Sequence, residues 1–263
     1  MTTEIKTICF IGAGNVATHM ALALYQAGYN VNGIFSRHIE HAQVLACKVH
    51  GVAVDRLIQL PKADVYIFTL KDSVLGKVAQ EFASVTRNPD ALYVHTAGSM
   101  PLTVLTDIYR RTAVLYPLQS FNKERPLTFR EIPVFVEAGT SEALSAIMGI
   151  ADRVSDKVSV LDSAKRKKLH LSAVFACNFV NHCYNLAFNL LEKENIDPSN
   201  LYGLIDETSR KIHTMSPHAA QTGPAVRWDE NVMRSQMEQL RDFPEMQSVY
   251  RVMSESIHKE FSL

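Results

Sequence analysis

An apolar run, Thr7-Ile8-Cys9-Phe10-Ile11, leads directly into Gly12-Ala13-Gly14-Asn15-Val16-Ala17, and a helix-like segment from Thr18 to Gln26 follows. A buried strand, a glycine turn and a helix in that order open a parallel β-α-β unit. Each small residue has its own task. Gly12 permits the tight turn, Gly14 lets backbone approach a pyrophosphate, and Ala17 allows the helix to pack closely on the sheet. The helix N-terminus offers free N–H groups and the positive end of its dipole to the phosphates. The pattern predicts a dinucleotide held by Gly12, Ala13, Gly14, Asn15 and Val16. An empty turn of the same shape is the competing reading.

The second strand falls at Tyr29 to Phe35, and the ribose of a dinucleotide would lie beyond it. An NAD-binding chain carries Asp or Glu about 20 residues past the glycines, where it bonds the 2′-hydroxyl. This chain has Ser36-Arg37-His38 there. A guanidinium beside a hydroxyl suits a 2′-phosphate, so the expected cofactor is NADP, with Ser36 and Arg37 as its ligands. Otherwise Arg37 is a solvated residue opening the helix at Ile39 to Cys47.

From there the chain alternates. A helical stretch runs to His50, Val52-Ala53-Val54 is a short strand, and Val65-Tyr66-Ile67-Phe68-Thr69-Leu70 is apolar on both faces, as a central parallel strand must be. Val74 to Val85 has helical spacing. Further strands fit Leu92 to His95, Ala113 to Tyr116 and Pro133 to Glu137. This rhythm is that of a doubly wound, parallel α/β sheet of the Rossmann type. After about Ser155 it stops. Val158 to Leu161 makes a last strand, and one helix capped by Asp162 or Ser163 then runs to about Lys193, roughly 30 residues and near 45 Å. Asn195-Ile196-Asp197-Pro198 breaks it, and helices fit Asn200 to His213, Asp229 to Arg241 and Pro244 to Phe261. The expected division is an NADP-binding domain over 1–155 and an all-helical substrate and dimerisation domain over 156–263.

The long helix raises a question of burial. Cys177, Val180, Tyr184, Leu186, Phe188 and Leu191 put apolar surface on more than one of its sides. A homodimer in which helical domains pack on each other accounts for that; burial by its own domain is the alternative.

Hydrophobic residues make up 47% of the chain, enough for such a core, and 27 basic residues balance 27 acidic ones. That balance carries no electrostatic footprint of a nucleic-acid or membrane binder. No apolar run approaches the ~20 residues of a bilayer span, and no leader-like segment precedes Thr7. Cys9, Cys47, Cys177 and Cys183 lack C-x-x-C spacing and fall within expected strands or helices. They read as buried thiols of a reducing compartment, so the expected location is cytoplasmic. His38 and His41 stand one helical turn apart without further ligands, and no metal is expected. Nor is there a G-x-S-x-G elbow.

In open parallel sheets, ligands bind beyond the carboxyl ends of the strands. Those places hold Thr69-Leu70-Lys71-Asp72-Ser73, His95-Thr96-Ala97-Gly98-Ser99 and Tyr116-Pro117-Leu118-Gln119-Ser120-Phe121. Thr69, Leu70, His95 and Thr96 are the expected further cofactor contacts, and Ser99 and Ser120 substrate contacts. Each stretch is equally a loop with a helix cap, from Asp72, Ser73 or Ser99. The long helix supplies a second wall, because His170, Val174, Cys177, Asn178, Asn181 and Asn185 keep to one α-helical stripe. His170 is the candidate proton donor, imidazole being the side chain most often used as a general acid or base. Asn178 would orient the substrate and Asn181 contact it, unless the stripe is a buried structural network. Lys165, Arg166, Lys167 and Lys168 read as a solvated face. In Gln221-Thr222-Gly223-Pro224-Ala225-Val226-Arg227-Trp228-Asp229, a rigid turn with an Asp229 cap, Thr222 and Arg227 are the remaining candidate substrate contacts.

Together these pieces resemble a family of Rossmann-like NADP oxidoreductases with a helical C-terminal domain of unknown function. Its relatives are pyrroline-5-carboxylate reductase, the deazaflavin-dependent NADP reductases and the 6-phosphogluconate dehydrogenase superfamily. The resemblance rests on Gly12 through Ala17, His95 through Ser99, Pro117 through Phe121, His170 through Asn178, and Thr222-Gly223-Pro224 with Arg227 and Asp229. It covers nearly the whole chain and implies the fold, an NADP site and a dimer. Two positions depart from it. Members often carry His where this chain has Tyr116, which removes one candidate acid, and Gly where it has Trp228, whose bulk would narrow the pocket.

The leading expectation is an NADP-dependent oxidoreductase that moves hydride to or from a small carbonyl or imine substrate. A non-catalytic NADP-binding sensor or interaction module is the second reading. Hydride exchange between NADP and a deazaflavin is the third, and it comes only from the family's relatives.

Overall fold

A computed structural model describes residues 5–86 and 88–262. They form two compact units, residues 1–177 and 178–263. The first contains an eight-stranded sheet. In chain order come β1 (Thr7–Ile11), α1 (Asn15–Gln26), β2 (Asn30–Phe35), α2 (Ile39–Val49), β3 (Val52–Val54), β4 (Val65–Phe68), α3 (Asp72–Val85), β5 (Leu92–His95), α4 (Thr103–Thr106), β6 (Thr112–Pro117), β7 (Val134–Ala138), α5 (Ser141–Val154), β8 (Val158–Val160) and α6 (Ser163–Ala173). The strand order is β3-β2-β1-β4-β5-β6-β7-β8, so the direction of winding reverses between β1 and β4. That reversal opens the crevice in which doubly wound sheets hold ligands.

Side chains alternate across the sheet and feed two layers. Ile8 and Phe10 of β1 join Leu24, Ile34, Val94 and Ile147 on the face covered by α1, α2 and α5. Cys9 and Ile11 join Tyr66, Phe68, Phe82 and Tyr93 on the other. There Tyr93 stacks on Tyr109 with centroids 3.7 Å apart. Asp64 fastens the base of the sheet. Its carboxylate accepts from the backbone of Lys6 and Thr7 and from the Thr7 hydroxyl, at 2.9, 2.9 and 2.8 Å.

The sheet departs from all-parallel at one place. β7 runs antiparallel to β6, because the chain returns through a loop and a single 3-10 turn, not through a crossover helix. α5 is a helix that the apolar spacing did not signal; the Thr140 hydroxyl caps it by accepting from Ala143 N. α1 starts at Asn15, three residues before its apolar pattern becomes evident. Among the cysteines only Cys9 is buried; Cys47, Cys177 and Cys183 are exposed, contrary to their apolar settings in sequence. Burial pushes the Cys9 thiol up to about 12, so it stays protonated.

The long helix is present over 163–193 but is not uniformly α-helical. α6 gives way to a π-helical turn at Val174–Phe179, and α7 (Val180–Lys193) follows. The second unit continues with α8 (Tyr202–Lys211), α9 (Pro217–Ala220), α10 (Pro224–Arg227), α11 (Glu230–Gln239) and α12 (Pro244–Phe261). Asn195 takes a left-handed conformation where the long helix ends, and the Asp197 carboxylate caps the next turn by accepting from Ser199 N. In this unit Ala225, Leu240 and Ser254 are buried, while Tyr202, Leu204, Ile212, Met215, Val232, Val252 and Met253 are exposed. Among the described residues no helix is long and apolar enough to cross a membrane.

Candidate functional site

The glycine turn lies at the β1–β4 crevice. Gly12 has φ +118°, and a Cβ there would overlap the Thr69 carbonyl oxygen at the end of β4. Its N–H donates to Phe35 O at 2.9 Å, and the Thr69 hydroxyl donates to Gly12 O at 3.1 Å. Gly12 is therefore required by the fold itself. Gly14 is different: it is exposed, and a Cβ built on it meets no atom within 4 Å. Packing does not require a glycine there, whereas a phosphate brought against the backbone would. Gly14 is the N-cap of α1, and no side chain caps that helix. Its first N–H groups thus face open ground, which fits a pyrophosphate. Ala13 is buried, Val16 half-buried and Asn15 exposed in the same turn.

Past β2, Ser36 N donates to Val54 O at 3.1 Å, and its hydroxyl accepts from His38 N at 3.2 Å. That hydroxyl keeps its own proton for a ligand. Arg37 is exposed beside it, so a cation and a donor stand together at the end of β2. These residues fit a 2′-phosphate. Leu70 is half-buried at the rim.

The β5 rim differs from its sequence reading. His95 is fully buried, and its Nδ1 accepts from Ala97 N at 3.2 Å. Burial, helped by the nearby Arg166 charge, pushes it down to about 3, so the ring is neutral. Thr96 is also buried, its hydroxyl donating to Phe68 O at 3.4 Å. Both side chains brace the end of the strand. Ser99, further along, is half-buried, and its hydroxyl donates to the Asp72 carboxylate. Asp72 thus joins two rim segments and does not cap a helix; the N-cap of α3 is Lys71. Ser120 is exposed beyond β6.

His170 stands on α6, half-buried, with Nδ1 3.0 Å from the Tyr116 hydroxyl at the end of β6. The two rings meet edge-on, 5.9 Å between centroids. Gly98 closes the third side: a Cβ on it would lie 2.6 Å from His170 Nδ1 and 2.9 Å from Tyr116 Cε2. Burial raises the Tyr116 phenol, against an opposing pull from the Arg166 charge.

One turn before His170, Arg166 is fully buried, which corrects the reading of residues 165–168 as a solvated face. It pairs with Glu137 of β7 and donates to Met100 O at 2.6 Å. Ser163 donates to the same carboxylate at 2.8 Å and accepts from Leu102 N at 3.0 Å. The base of α6 is therefore fastened both to β7 and to the rim loop carrying Gly98 and Ser99. Glu137, Arg166 and Asp72 have no local spacing that reveals these roles, because each partner is distant in sequence.

Asn178, Asn181, Thr222 and Arg227 belong to the second unit, and all are exposed. The single-stripe reckoning that joined His170 to Asn178 assumes α-helical spacing throughout. The π-helical turn adds about one residue to the turn and breaks that register. Trp228 sits in the left-handed region at φ +52°, the C-cap of α10. Glycine is the usual residue there, which accounts for the family's glycine; nothing in the structure explains the tryptophan. Its ring packs against His258, centroids 4.5 Å apart.

Two family profiles match the chain. One, described as NADP oxidoreductase coenzyme F420-dependent, covers residues 7–97, and a domain of unknown function, DUF2520, covers residues 132–257. A Bacteroides fragilis protein described as a "putative NADP oxidoreductase" has a solved structure with 44% identity, spanning 97% of this chain and 98% of that one, at a TM-score of 0.93. A reductive aminase from Aspergillus terreus in complex with NADPH and ethyl-5-oxohexanoate shares the fold at 14% identity, over 98% of this chain and 95% of that one, with a TM-score of 0.70. A "Probable 3-hydroxyisobutyrate dehydrogenase, mitochondrial" from Dictyostelium discoideum is 25% identical over 248 residues, 86% of this chain and 74% of its own.

Proposed function

The chain belongs to the family of Rossmann-like NADP oxidoreductases with a DUF2520 C-terminal domain, and on that footing we propose that it moves hydride between NADP(H) and a small carbonyl or imine substrate. The observation that carries this reading is the placing of a proton-exchanging ring, His170, between Gly98 and Tyr116 at the rim of the sheet that bears the nucleotide turn. Gly12, Ala13, Gly14, Asn15 and Val16 would hold the pyrophosphate, and Ser36 and Arg37 the 2′-phosphate; Thr69 and Leu70 would line the crevice. NADPH, when bound, supplies the hydride. His170 supplies the proton that the reduced oxygen or nitrogen requires, and takes it back in the reverse direction. Ser99, held by Asp72, and Ser120 would position the substrate from the rim.

In this reading residues 1–155 would bind the nucleotide, and residues 156–263 would add further substrate contacts and the dimer surface. Asn178, Asn181, Thr222 and Arg227 are the substrate contacts assigned to the helical part, with Asn178 orienting the reacting group. The exposed apolar side chains of the second unit support a homodimer.

The test is a panel of small imines, ketones and aldehydes with NADPH, followed by nicotinamide absorbance. Turnover should fall about 100-fold or more in His170→Gln, with NADPH affinity retained. Unchanged turnover would remove His170 from the mechanism. The description of the profile matching residues 7–97 favours one second reading, hydride exchange with a deazaflavin. Oxidation of NADPH by an oxidised deazaflavin alone, with none by the panel, would select it. NADPH binding without any turnover would select a sensor.

A further inference from the structure

We propose that Tyr116 is a positioning residue that holds His170 by Nδ1 and thereby makes Nε2 the nitrogen that exchanges protons with substrate. The inference rests on the oxidoreductase reading for its purpose, but the tautomer it assigns can be observed without any substrate.

Three features carry it. The Tyr116 hydroxyl lies 3.0 Å from His170 Nδ1. Gly98 presses on the same edge of the ring, since a Cβ there would stand 2.6 Å from Nδ1. That edge is closed to substrate by backbone on one side and by the phenol on the other. Third, α6 cannot readily turn to offer the other edge, because Arg166, one turn earlier, is fully buried between Glu137 and the Met100 carbonyl.

The phenol suits the task chemically. It has one proton to donate and lone pairs to accept with. Toward a neutral imidazole whose Nε2 lone pair is free to take a proton, its oxygen accepts from Nδ1–H. Toward an imidazolium it accepts from Nδ1–H. It thus holds the ring in both states of a proton-transfer cycle, as second partners of working histidines generally do. Tyr116 itself neither gains nor loses a proton, and Nε2 delivers the proton when the ring is charged. The position at which this chain departs from its family's histidine is therefore not a lost acid but a support for the remaining one.

The experiment uses the full chain labelled with ¹⁵N at histidine. Long-range nitrogen–proton NMR correlations report each ring's tautomer, and the His170 signals are those missing in His170→Gln. The wild type should show neutral His170 as the Nδ1–H tautomer, and Tyr116→Phe should yield a tautomer mixture. On any substrate found, Tyr116→Phe should lower kcat about 10- to 100-fold, with KM and NADPH affinity unchanged. If Tyr116→Phe fails to fold, Gly98→Ala, which displaces the ring while keeping the phenol, should produce the same tautomer mixture. An Nε2–H tautomer in the wild type overturns the proposal. So does a tautomer or a kcat unmoved by Tyr116→Phe. Failure of the oxidoreductase reading would instead appear as a normal tautomer result in a protein that does not bind NADPH.

Discussion

Arg166 is a guanidinium with no exposed surface, and its position explains much about the residues around it. It pairs with Glu137, adds to the burial that lowers His95, and anchors α6 at the turn preceding His170. Removing the carboxylate would leave a buried cation without its counter-charge. Glu137→Ala should therefore destabilise the protein by about 3–5 kcal/mol in denaturant unfolding, far more than loss of an exposed pair such as Arg241–Glu238, worth about 0–1 kcal/mol. A loss under 1 kcal/mol would show that Arg166 finds water or another acceptor. The basic run at 165–168 reads as solvent-facing because charge alone carries no direction. Only the helix phase relative to β7 reveals that one of its four cations turns inward, and β7 lies far back in the chain.

Among the elements, those legible in the sequence are the ones whose reasons are local. The strand–turn–helix at 7–26 is written in consecutive residues, and α12 spans the predicted Pro244 to Phe261. The break after the long helix sits at Asn195 to Pro198 because a left-handed Asn and a proline enforce it locally. The antiparallel β7 depends on pairing with β6 across a long loop, and no spacing rule announces it or the π-helical turn. The tie between β1 and β4 is of the same long-range kind. Burial pushes the Asp64 carboxyl up, but hydrogen bonds from Lys6 and Thr7 outweigh it and hold the group below its ordinary value. A depressed carboxylate contributes stability above its unfolded pKa, about 3.9, and that contribution is lost as pH falls through the folded value. Asp64→Asn should thus cost about 1–2 kcal/mol near neutrality. The gap between mutant and wild type should close below about pH 4, as read from urea unfolding across pH. A gap independent of pH would mean that the carboxylate's charge has no part in the tie.

At the scale of the whole molecule, the two units differ in how they cover their apolar side chains. The sheet of the first unit is buried on both faces, whereas the second leaves Tyr202, Leu204, Ile212, Val252 and Met253 exposed. The proposed homodimer would cover these side chains, so sedimentation should give twice the mass of one chain, and Leu204→Glu with Val252→Glu should lower it to one. A monomeric wild type would assign that surface another purpose. Cofactor binding is the property on which the proposed function depends. It derives from the uncapped α1 facing open ground at Gly14, with Ser36 and Arg37 past β2. The most direct test is a parallel titration of cofactor-stripped protein with NADPH and NADH, followed by nicotinamide fluorescence. NADPH should bind at least about tenfold tighter than NADH, with most of that preference lost in Arg37→Ala. Equal affinities would contradict the reading of Ser36 and Arg37, and binding of neither would contradict the nucleotide site itself.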